Sequence, residues 1–277
     1  MSPDVALRLI VASLMVQLRA GEEGLLASED PEYVHQMRVA VRRLRSVLSL
    51  FPGSASAGLH GKHARTLKKI ADRLGKGRDL DVLAASVAGA RALPRVRENQ
   101  VLAEIRARAQ DARLDIRSCL RSAEYARLMS RLSLWLLARP RHPTASRLVA
   151  LARRELAGGH KAMMRHAARF ARLAAEERHR LRIEVKRARY AAEFFGSLFD
   201  HRAARSYADA LAKLQDLLGS LTDINTAQAL LRELGCDKVT SECLMESWSR
   251  QAVADDALEG MIRICVKAAG FWKRKRD

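Results

Sequence analysis

A histidine followed by basic residues three, seven and ten positions later occurs twice in this chain, 144 residues apart. The first set is His35, Arg38, Arg42 and Arg45, within HQMRVAVRRLRSVLSLF. The second is His179, Arg182, Lys186 and Arg189, within HRLRIEVKRARYAAEFF. At roughly 100° per residue these offsets fall in one narrow arc of an α-helix, so each set is a basic ridge roughly 15 Å long. Arg43 and Arg187 thicken the two basic segments. Beside each ridge runs an apolar stripe, Met37, Val41, Leu44 and Leu48 in one copy and Leu181, Val185, Ala188 and Ala192 in the other. A cationic ridge along the margin of a buried face looks into a groove rather than into bulk water.

A second block repeats at the same offset. Leu67, Lys69, Asp72, Leu74, Gly75 and Asp79 match Leu211, Lys213, Asp216, Leu218, Gly219 and Asp223, and the interval from histidine to glycine is 40 residues in both halves. Two blocks with one shared spacing imply a duplication of the whole unit, which chance similarity between arginine-rich helices does not produce. The expected division is residues 1–140 and 141–277, two halves that together make one domain, with a proline-containing linker, ARPRHPTAS at 138–146, between them.

The apolar spacing is helical throughout, and alanine, leucine and arginine dominate. The expected fold class is all-α, two pseudo-symmetric helical bundles. The pattern predicts helices over 4–28, 31–51, 56–75, 79–92, 95–119 and 121–138, then 145–172, 175–196, 200–219, 223–234, 238–254 and 257–271. Pro31 after Asp30 suits a first helical turn, and Pro52-Gly53 ends the first ridge helix. Gly75 and Gly219 are expected as C-cap glycines, with Asp79 and Asp223 as the N-caps that follow.

The chain has 277 residues, with 50 Lys and Arg against 31 Asp and Glu, a formal charge of +19. That balance favours a polyanionic partner or an acidic surface and says little about fold. The four cysteines lack CxxC spacing and fit thiols in a reducing compartment. The first residues lack the positive region of a signal peptide, and no stretch approaches the roughly 20 apolar residues of a membrane span. A soluble, cytoplasmic protein with no membrane partner is expected.

The ridge segments, together with LGKGRDLDVL and LQDLLGSLTDINTA, resemble the signature helices of the CHAD family, the conserved histidine α-helical domain. The resemblance covers about Tyr33 to Ala227 directly. It implies two pseudo-symmetric helical bundles around a basic cavity, binding of inorganic polyphosphate, and association with polyphosphate granules. Some members carry a separate triphosphatase-like domain of the CYTH type, for which this chain has no room. The second half departs from the first at Thr222, where the first half has Arg78, so a cationic role at this position is not expected in the second half.

Residue chemistry leads to the same ligand class. Arginine offers a planar fork of donors to phosphate oxygens and lysine a point charge. Further stripes lie at helical spacing: Lys62, Arg65, Lys69, Arg73 and Lys76; Arg202, Arg205 and Lys213; and Arg154, Lys161, Arg165 and Arg172. Each is either part of the anion site or a solvated face. His35 and His179 either donate to phosphate when protonated or hold the ridge against a neighbouring helix, and the family resemblance favours ligand contact. The sequence has no phosphate-binding glycine loop, no HExxH and no carboxylate set for magnesium, so neither catalysis, a cofactor nor a metal is expected. His60 and His63, in HGKH, read as a solvated surface pair. The alternatives are a nucleic-acid binder and, third, an enzyme acting on polyphosphate. Against nucleic acid, aromatics are 5% of the chain and none interrupts the first ridge.

Overall fold

The computed structural model describes residues 1–51, 57–138, 148–170, 173–250 and 255–273, the side chains of 57–62, 175, 220–223, 250 and 255–256 excepted. Among these residues the secondary structure is helical, without strands. The helices are α1 (Pro3–Ala27), α2 (Pro31–Leu50), α3 (Ala57–Ala90), α4 (Arg95–Leu120), α5 (Ala123–Leu137), α6 (Leu148–Ala167), α7 (Ala175–Phe195), α8 (His201–Glu233), α9 (Lys238–Arg250) and α10 (Asp255–Ala268). Their starts are set by local chemistry. Ser2, Asp30, Ser122 and Asp200 each accept a backbone N–H of the first turn, and Pro3 and Pro31 follow two of these caps. The predicted linker falls almost wholly outside the described residues, as do Pro52 and Gly53.

Helix order repeats at the spacing seen in the sequence. α7 starts at Ala175 and α8 at His201, 144 residues after α2 and α3. Packing repeats as well: α2 lies between α1 and α3, α7 lies between α6 and α8, and α2 and α7 pack against each other. Within the first set, α1 and α2 approach so closely that a Cβ at Gly24 would lie 2.0 Å from the Tyr33 ring.

Two of the predicted breaks are absent. α3 and α8 run unbroken through Gly75 and Gly219, so neither glycine is a C-cap and Asp79 and Asp223 are not N-caps. A helix-interior glycine costs about 1 kcal/mol. Burial on both sides offsets it, since Leu74 and Leu80 in α3 are 0% and 2% exposed. The continuous helices join two hydrophobic clusters. The larger takes Leu67, Ile70 and Leu74 from α3 together with α1, α2 and α5–α8 residues. The smaller takes Leu80, Leu83 and Val87 from the same helix and packs them with α4 residues, Leu231, Leu244 and Trp248. Each cluster thus draws on both halves of the sequence. No described helix is long and apolar enough to cross a membrane.

Candidate anion-binding site between the ridge helices

The apolar stripes predicted beside the ridges are buried: Met37, Val41, Leu44, Leu181, Val185 and Ala188 are at most 1% exposed. This fixes the rotation of α2 and α7 and sets the ridges at the seam where the two helices meet. The Arg42 guanidinium carbon lies 5.7 Å from the Tyr190 ring centroid, and that of Arg43 lies 5.5 Å from Phe194. Such stacking positions a cation without cancelling its charge. Arg42 Nε and Arg43 Nε are buried with no hydrogen-bond acceptor among the described residues.

A cavity of about 540 Å³ opens between α2, the start of α3, and α7. Arg42 and Arg45 of the first ridge segment and Lys186 and Arg187 of the second line it together, with Arg65 and Lys68 from α3. No carboxylate is among its described lining residues. The acids that pair with this wall stand outside it: Asp72 takes Lys68 at 2.7 Å and Glu155 takes Arg187 at 3.2 Å.

Beside the cavity, more positive charge is gathered where α2 crosses α3. Arg38 lies over Gly75, whose added Cβ would be 3.9 Å from Arg38 Nε. Burial and then the neighbouring Arg42, Arg182 and Arg78 push the Arg38 pKa down, opposed by Asp79. His35 is likewise pushed below 6.5, first by burial and then by Arg78, with Arg42 and Arg38 adding to the effect and Glu32 opposing it. Like charges held this close favour an anion among them. The coupling of Arg38 to Arg182 also joins the two ridges electrostatically.

A second cavity, about 470 Å³, shares Arg42 and Tyr190 with the first and extends to α8. Its wall repeats the first at the 144-residue spacing. Arg189, Ala192, Glu193, Ala208, Asp209 and Ala212 stand where Arg45, Leu48, Ser49, Ala64, Arg65 and Lys68 stand in the first cavity, while Val39 and Arg43 answer Ile183 and Arg187. Arg205 also lines it, 4.0 Å from Asp209.

Other predicted residues lie elsewhere. Lys69 and Arg73 tie α3 to its neighbours through Glu124 at 3.3 Å and Asp115 at 3.0 Å. Lys76 lines a separate cavity of about 250 Å³ with Asp111, Asp115 and Glu233. Arg154 pairs with Glu155 at 3.2 Å. Lys161, Arg165, His179, Arg202 and Lys213 are exposed and line neither ridge cavity. Lys62 (its side chain) and Arg172 are outside the described residues. His63 corrects the sequence reading: it is 5% exposed, because it continues the buried series Leu67, Ile70 and Leu74 on α3. Lys68 and Tyr190 were missed. Lys68 follows Arg65 by one helical turn, a signal the sequence carried, whereas nothing in the sequence sets Tyr190 under Arg42. Among the described residues, no group of three His, Cys, Asp or Glu side chains is placed to hold a metal ion.

The family model for the CHAD domain matches residues 9–232, a span that contains both ridges and both cavities. The chain belongs to the CHAD family. It is similar to the crystal structure of the CHAD domain from the plant Ricinus communis, with 30% identity and a TM-score of 0.81 over 95% of this chain and 92% of that one. PptA from Streptomyces chartreusis shares the fold at 15% identity and a TM-score of 0.59, covering 98% and 99% of the two chains. No curated protein matches the chain. CHAD domains as a family are associated with polyphosphate binding.

Proposed function

We propose that this CHAD domain binds inorganic polyphosphate in the cavity between α2, α3 and α7, and does so without chemical turnover. The observation that carries the reading is the wall itself, six cations drawn from three helices with no carboxylate among its described residues. A linear polyanion with phosphates at short intervals can satisfy several of these groups at once, releasing counterions as it binds. The wall also speaks against nucleic acid. Its one aromatic among the described residues, Tyr190, is 4% exposed and lies under Arg42, so bases have no ring to stack on.

The test is competition at matched phosphate concentration and salt between polyphosphate, single-stranded RNA and duplex DNA, with phosphate release followed in parallel. Preferential binding of polyphosphate with no release of phosphate is the expected result. Equal or tighter binding of RNA would favour the nucleic-acid reading, and steady phosphate release would make the protein an enzyme.

A further inference from the structure

The two cavities that share Arg42 and Tyr190 have matching walls but different charge. The first has six cations and no carboxylate in its described lining, whereas the second has four cations and two carboxylates. Three exchanges between equivalent lining positions set the charge difference: Ser49, Arg65 and Lys68 become Glu193, Asp209 and Ala212. Arg205, which has no cationic counterpart at position 61, offsets the absence of Lys186 from the second lining. The two carboxylates are not equivalent. Asp209 and its partner Arg205 are 67% and 76% exposed and 4.0 Å apart, a pair that solvent weakens. Glu193 has a side chain 22% exposed and holds two guanidinium groups at once. Its Oε1 accepts from Arg189 Nε at 2.8 Å, and its Oε2 lies 3.7 Å from Arg43 on the facing ridge helix.

Two oxygens on one anionic centre, set between two arginines, is the arrangement a phosphate group would take there. We infer that Glu193 is a built-in stand-in for phosphate that closes the second cavity to the polyanion and confines polyphosphate to the first. The inference rests on the polyphosphate reading above. A phosphate entering the second cavity must displace a carboxylate from Arg43 and Arg189 or sit against it, whereas in the first cavity the acids that hold Lys68 and Arg187 stand outside the described lining. The ligand footprint is therefore one-sided despite the repeated architecture.

The test compares the parent chain with Glu193→Gln, using tripolyphosphate and a long polyphosphate titrated over a range of salt. Removing the carboxylate frees two cationic partners, so the long chain should bind about tenfold tighter. Its log–log salt slope should steepen by about 1.4, for two further phosphates neutralised. Tripolyphosphate, held in the first cavity, should bind as before. The reciprocal variant, Ser49→Glu, sets a carboxylate on the exposed matching position of the first cavity and should weaken both ligands about tenfold. This second variant keeps the inference testable should Glu193→Gln fail to fold, since Glu193 also ties α2 to α7. An unchanged long-chain affinity and slope in Glu193→Gln, or an unchanged affinity in Ser49→Glu, would overturn it. A parent chain that binds no polyphosphate at all would instead overturn the ligand reading, and this inference with it.

Discussion

Reversing Arg45 and Arg65 together, as Arg45→Glu/Arg65→Glu, is the sharpest probe of the first cavity. Both side chains line it, both are exposed, and neither has a hydrogen-bond or ion-pair partner among the described residues. The fold therefore loses nothing that they hold, and arginine and glutamate are similar helix formers. The reversal leaves four cations and two carboxylates on the wall, the same count that the second cavity has naturally. A hydrogen bond to a charged group contributes about 1.5–3 kcal/mol. Solvent access puts each of these at the lower end, so losing both costs about 3 kcal/mol, or about a hundredfold in Kd. The salt slope should also become shallower by about 1.4, the loss of two neutralised phosphates. Fluorescence anisotropy of end-labelled polyphosphate across a salt series reads both quantities, and circular dichroism verifies helix content. A change below about threefold with the slope intact, in a fully helical protein, would refute the assignment of this cavity as the binding site.

Other consequences can be measured independently. Burial and then Arg78 hold the His35 pKa below 6.5, and a phosphate beside it would raise that value, so binding takes up a proton. Affinity should then rise as pH falls through the range just above the free value, an effect lost in His35→Gln. Titration calorimetry in two buffers of different ionisation enthalpy checks this, and identical heats near the histidine range would refute it. Gly24→Ala should destabilise the fold by about 1–3 kcal/mol in urea, because the new Cβ would lie 2.0 Å from the Tyr33 ring. Gly158→Ala, in the exposed interior of α6 with nothing within 4 Å, should instead stabilise by about 0.5–1 kcal/mol. Equal effects from the two alanines would contradict the α1–α2 packing. Polyphosphate at about a hundred times its Kd should add about 2.7 kcal/mol to the unfolding free energy, read as a rise in Tm.

Much of this was legible in the chain, and the remainder follows a pattern. The ridge helices came out within one residue of prediction, 31–51 against Pro31–Leu50 and 175–196 against Ala175–Phe195. Strong apolar periodicity and the Asp30-Pro31 start specify the first of them locally. Gly75 and Gly219 misled because a glycine's local cost was weighed without the burial on either side that overrides it. His63 misled for a related reason: its charge-rich neighbours masked its place in the Leu67, Ile70, Leu74 series. In the site, the ridges gave Arg42, Arg45 and Lys186, but which outlying cations share their cavity depends on helix rotation and crossing. Thus Arg65 joins the wall while Lys69 and Arg73, one and two turns on, face Glu124 and Asp115.

The shared interior has a bearing on how the protein is made. Neighbouring helices such as α1 with α2, and α3 with α4, can pair as soon as they leave the ribosome, since their contacts are local in sequence. Neither cluster can close at that stage, because the larger needs residues as late as Trp272 and the smaller needs Trp248. Docking of α7 against α2 is a long-range and hence late event. The cationic cavity comes into being with that docking, because its lining is drawn from α2 and α3 on one side and α7 on the other. Until then α2 is packed against its sequence neighbours α1 and α3, and only the face that will meet α7 is uncovered.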